Sequence, residues 1–85
     1  MDEIEAYRDF MKVYDELCKK HELKLELKHM RSHGRDWYRL SIFEHTATYE
    51  GSDTVWVYLE RIGRNILWRF AKDELLSAKE RWENQ

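Results

Sequence analysis

Residues 54–60, Thr-Val-Trp-Val-Tyr-Leu-Glu, constrain the fold more than any other stretch of the chain. They form its densest run of β-branched and aromatic residues, and they alternate strictly. Successive side chains on a strand point to opposite faces. Val55, Val57 and Leu59 are therefore expected to meet a core, while Thr54, Trp56, Tyr58 and Glu60 face the other way. Whether that second, aromatic face is covered or open is the central question for function.

The rest of the chain supplies the partners of this strand. Residues 2–20 read as an amphipathic helix: Ile4, Tyr7, Met11, Tyr14 and Cys18 recur at steps of three and four, and Phe10 and Leu17 widen the stripe. Asp2 is an N-cap candidate with Glu5 three residues on, the pattern of a capping box. Leu23, Leu25 and Leu27 then alternate with Lys24, Glu26 and Lys28. A helix would scatter the three leucines, whereas a strand gathers them on one face and leaves a charged outer face. Residues 31–36 are polar, contain Gly34 and read as a hairpin loop. In residues 37–43 the set Tyr38, Leu40 and Ile42 is expected to point inward, and the strand to run on weakly to Tyr49. Residues 50–53 form the next turn, and Ile62-Gly63-Arg64-Asn65 another. Ile66, Trp68 and Phe70 alternate with Leu67 and Arg69, which favours a short fourth strand. A last helix is expected from about Lys72, with Leu75, Ala78 and Trp82 inward. The order is α-β-β-β-(β)-α: an α+β fold with a meander sheet of three or four antiparallel strands and both helices on one face.

Eighty-five residues make one domain with a modest core, for which twelve aromatics, four of them Trp, are bulky material. The charged fraction of 38% is compatible with folding because the apolar residues are periodic. Net charge is −2, which excludes a generally basic, nucleic-acid-coating protein. Residues 1–22 carry seven acids and four bases, residues 23–72 six and nine, and residues 73–85 four and two, so acidic ends flank a basic middle. A single Cys forms no internal disulfide, and no long apolar run suggests a signal peptide or a membrane span. A reducing, cytoplasmic setting is expected, with no membrane partner.

Several constellations bear on function. If both helices cover the aliphatic side, Trp37, Arg39, Phe43, Trp56 and Tyr58 share an open face with Lys24 and Lys28. Exposed aromatics rimmed by charge mark protein-binding surfaces, and Trp, Tyr and Arg are common anchors. The acidic helix face Asp2, Glu5, Asp9 and Glu16 offers a second surface, suited to a basic groove on a partner. A third set is basic: Arg31, His33 and Arg35 in the first loop, then Arg61, Arg64, Arg69 and Lys72. Arginine interleaved with Trp68 suits phosphate contact with base stacking.

The α-β-β-β-α order and the segment Arg69-x-Ala71-Lys72 resemble the double-stranded-RNA-binding domain. In that family a loop His and a Lys-rich helix start face the RNA, and the resemblance implies those roles for His33 and Lys72. It covers about ten residues. Trp68 stands where the family has Lys, no Gly-Pro precedes His33, and residues 37–63 are a longer span than the family's. Asp73 and Glu74 also oppose phosphate at that place.

Cys18, His21, His29 and His33 are metal-ligand types within a short span, but Cys18 lies on an apolar helix stripe as a small hydrophobe would, and no metal is expected. His45 with Glu44, Ser41, Tyr49 and Asp53 shows no nucleophile elbow, phosphate loop or metal helix, so no enzyme and no cofactor are expected. The expectation is a small non-enzymatic protein that occupies a surface on a protein partner, as an adaptor or a phage- or mobile-element-type inhibitor of a bacterial enzyme does. RNA binding through the basic set, and a homodimer through the aromatic face or an exposed strand edge, are the alternatives.

Overall fold

The computed structural model describes residues 2–44 and 55–84. Helix α1 (Glu3–Cys18) is followed by strands β1 (Leu23–Ser32), β2 (Arg35–Glu44) and β3 (Val55–Ile62), and by helix α2 (Arg64–Glu83). The expected α-β-β-β-α order and α+β class are present, with one antiparallel sheet in the order β1-β2-β3. The turn expected at residues 50–53 and the run of β2 on to Tyr49 lie outside the described residues, as do His45, Asp53 and Thr54.

Helix α1 starts where its cap dictates: the Asp2 carboxylate accepts from the Glu5 backbone N–H at 2.8 Å, satisfying one of the orphan donors of the first turn. Its buried residues are Ala6, Phe10 and Leu17. The stripe expected at Ile4 and Tyr7 is displaced, since these two are 62% and 42% exposed. The helix is apolar around more than one flank, and packing against α2 chooses the Ala6–Phe10–Leu17 flank.

In the sheet, Leu25–Ile42–Val57 and Leu27–Leu40–Leu59 form two rungs across all three strands on the side of the helices. Leu40 and Ile42, on the central strand, are fully buried. The hairpin between β1 and β2 is tighter than a six-residue loop: only His33 and Gly34 lie between the strands, with φ of 55° and 74°. Positive φ at both central residues matches the right-handed twist of the flanking strands. Arg31, Ser32, Arg35 and Asp36 therefore belong to the strands.

No strand forms at Ile66–Phe70. Helix α2 begins at Arg64, and Leu67, Trp68, Ala71, Leu75 and Ala78 are its buried residues, at helical spacing. Five residues are too few to separate a period of two from one of 3.6 when both parities are apolar. The two helices run parallel on one face of the sheet. Glu3 pairs with Arg64 at 3.1 Å near their starts, Tyr7 meets Trp68 at 4.9 Å, and His21, just beyond α1, meets Trp82 at 4.2 Å near the end of α2. Phe10, Leu17, Leu40, Ile42, Leu67 and Leu75 are the fully buried large side chains of the core, with Trp68 beside them. Each contributes roughly 1.5–3 kcal/mol by leaving water.

Candidate functional site

Because α1 buries its Ala6–Phe10–Leu17 flank against α2, the flank carrying Ile4, Tyr7, Met11 and Tyr14 is turned toward β1. It does not close on the strand. Between them lies a groove of about 550 Å³, walled by those four residues and floored by Leu25, Leu27 and Trp68. Leu27 stays 36% exposed, although it belongs to a core-facing rung. At one end the Glu3–Arg64 ion pair joins the two helix starts. At the other end the Tyr14 hydroxyl donates to the Leu23 carbonyl at 3.2 Å, tying the last turns of α1 to the start of β1. Burial pushes the Tyr14 pKa up to about 12, reinforced by Cys18 alongside. Tyr14 is thus protonated at neutral pH and acts there as a donor. Arg8 lines the rim and makes no ion pair among the described residues.

The groove runs beside the outer edge of β1, which pairs with no other strand among the described residues. A sheet edge carries unpaired N–H and C=O groups able to accept another strand. An apolar trough and a hydrogen-bonding edge thus lie side by side.

The outer sheet face is less open than the sequence suggests. The β2–β3 ladder slips between Ile42 and Phe43: Ile42 pairs with Val57, but Phe43 pairs with Val55, leaving Trp56 as the extra residue of a bulge. Trp56 accordingly turns to the helix side, 5.0 Å from His21 and 6.1 Å from Trp82, and packs on the core. Phe43 is 1% exposed, with the Lys24 ammonium 5.7 Å from its ring. Neither residue is available as a surface anchor. Arg39 is committed within the face, pairing with Glu60 at 2.7 Å, and Glu60 also accepts from the Tyr58 hydroxyl at 2.8 Å. These two donors hold the Glu60 carboxyl below the usual carboxylate range. Trp37 is half-buried, in one rung with Met30 and Ile62.

The basic set is not gathered either. Arg31, His33 and Arg35 are exposed at the hairpin tip, where His33 bonds to Ser32 at 2.8 Å. Arg64 is the first residue of α2, paired with Glu3. Arg69 and Lys72 lie further along α2, in a shallow recess with Asp9 and Asp73. Since α2 starts at Arg64, Lys72 sits in its third turn and not at a helix start, which removes the position on which the RNA-binding resemblance depended. Of the acidic helix face, Asp2 caps α1, Asp9 lies in that same recess, and Glu5 and Glu16 are exposed. His29 bonds to Asp36 at 2.9 Å, whereas His21 packs between Trp56 and Trp82. Among the described residues no group of three or more ligand-type side chains is placed to hold a metal ion.

No family model, curated protein or solved structure matches the chain. The groove was hidden in the sequence because its walls look like a helix core stripe and its floor like an ordinary strand face. The available signal was an excess: α1 carries more apolar residues than one packing flank requires.

Proposed function

We propose that the chain is a small non-enzymatic binding protein, of adaptor or inhibitor type, that docks an apolar segment of a protein partner in the α1–β1 groove. One observation carries this reading: Ile4, Tyr7 and Leu27, three large apolar side chains left exposed, line a single trough. Leaving them in water costs stability, and a small domain has little to spare. Arg8 at the rim, without an ion pair among the described residues, suits an acidic residue in the docked segment. A reducing compartment such as the cytoplasm agrees with the free, half-buried Cys18.

Affinity capture from lysate after nuclease treatment tests the reading, with the natural chain, Ile4→Ser and Leu27→Thr run in parallel. A protein retained by the natural chain and depleted about tenfold or more by either substitution is the expected result. Retention abolished by nuclease and by Arg31→Ala or Arg69→Ala, but indifferent to Ile4 and Leu27, overturns it in favour of RNA.

A further inference from the structure

The outer edge of β1, unpaired among the described residues, carries a charge pattern that identifies what it can pair with. On the outer face, Lys24, Glu26 and Lys28 alternate in sign, continued by Glu22 immediately before the strand. On the groove side, Leu23, Leu25 and Leu27 repeat. The segment 22–28 carries no net charge and is nearly symmetric about Leu25.

We propose that β1 pairs antiparallel with β1 of a second copy of this chain, about a two-fold axis through Leu25, joining two three-stranded sheets into one of six strands. A two-fold axis perpendicular to a sheet keeps inner residues opposite inner ones only when it passes through a residue. Centred on Glu26, it sets Glu26 against itself and Lys24 against Lys28, like charge on like charge. Centred on Leu27, it sets Leu25 against His29, Leu23 against Arg31 and Lys24 against Met30. Centred on Leu25, it sets Lys24 against Glu26 and Glu22 against Lys28 on the outer face. On the inner face it then sets Leu23 against Leu27 and Leu25 against itself. This register alone matches both faces, and directly opposite side chains on one face are the pairs that stabilise a sheet. Within β1 it pairs the backbone groups of Leu23–Leu27 with the same five residues of the second copy. This inference rests on the groove being a protein-docking surface, because the leucines of the second copy continue its floor. A docked segment would then meet the leucine rows of both copies.

Sedimentation equilibrium of the full chain over a wide concentration range tests it. The mass is expected to rise from one chain to two. Lys24→Glu places Glu opposite Glu26 of the second copy and is expected to weaken association about tenfold or more. The exchange Lys24→Glu with Glu26→Lys recreates both pairs and is expected to restore it. Lys28→Glu, opposing Glu22 of the second copy, is the alternative single reversal if circular dichroism shows Lys24→Glu unfolded. A mass of one chain at every concentration, or a dimer that single reversals do not weaken, overturns the proposal. A monomeric chain that still loses its captured protein on Ile4→Ser overturns the second copy while leaving the groove standing. A dimer whose captured protein is indifferent to Ile4→Ser removes the groove reading instead.

Discussion

Trp56 shows how a bulge can turn a residue to the other face while every residue after it keeps its own. Val57, Leu59, Tyr58 and Glu60 all lie on the sides that strict alternation assigns them, with Val57 and Leu59 buried and Tyr58 and Glu60 bonded on the outer face. The extra residue at the bulge breaks the alternation before Val57: the indole joins His21 and Trp82, and Val55, expected to meet the core, lies opposite Phe43 of the outer face. Alternation is a property of a regular ladder, and a bulge cannot be seen in one strand without its partner. Trp56→Ala is therefore expected to destabilise the domain by about 2–3 kcal/mol, somewhat below the roughly 3–5 of a fully buried Trp. Tyr58→Ala, which removes an exposed contact with Glu60, is expected to cost under about 1 kcal/mol. Urea midpoints at unchanged m value measure both. The reverse ranking would return Trp56 to the outer face.

At the scale of elements, β1, β2 and the start of α1 were legible because each has a local cause. Asp2 supplies the cap, the Leu23–Leu25–Leu27 alternation supplies a face, and Tyr38, Leu40 and Ile42 supply its opposite number. The first two turns of α2 were not legible, because Ile66, Leu67, Trp68 and Phe70 satisfy either period, and tertiary packing of Leu67 and Trp68 beneath α1 decides between them. The same packing decided which flank of α1 was buried, so the groove was invisible for the same physical reason. Arg69 makes the helix testable, since it is exposed and six positions into α2. A proline there removes an interior hydrogen bond and clashes with the preceding turn, costing about 3 kcal/mol or more. In a short exposed edge strand the same change would be tolerated far better. Thermal melting of Arg69→Pro distinguishes the two, and a small shift would reinstate the strand.

At the scale of the whole molecule, the groove has meaning only if α1 has one structural flank and one that the fold does not need. The two flanks share a helix, a length and a hydrophobic character, but Phe10 is 0% exposed and Ile4 is 62% exposed. Phe10 packs on Trp68 at 5.1 Å and stacks on Tyr14 at 5.9 Å, in the layer joining both helices to the sheet. Phe10→Ala is expected to cost about 3–5 kcal/mol. That approaches the lower end of the roughly 5–15 kcal/mol by which such domains are stable. Ile4→Ser, on the groove flank, is expected to change stability by no more than about 0.5 kcal/mol, as Ser and Ile have similar helix propensities and little burial is lost. Chemical denaturation of the two variants reads the difference directly. Equal losses would mean that α1 closes onto β1 in solution and that the Ile4 flank is core, leaving no trough for a partner. A stable Ile4→Ser chain that no longer holds its partner would separate folding from binding on the two sides of one helix.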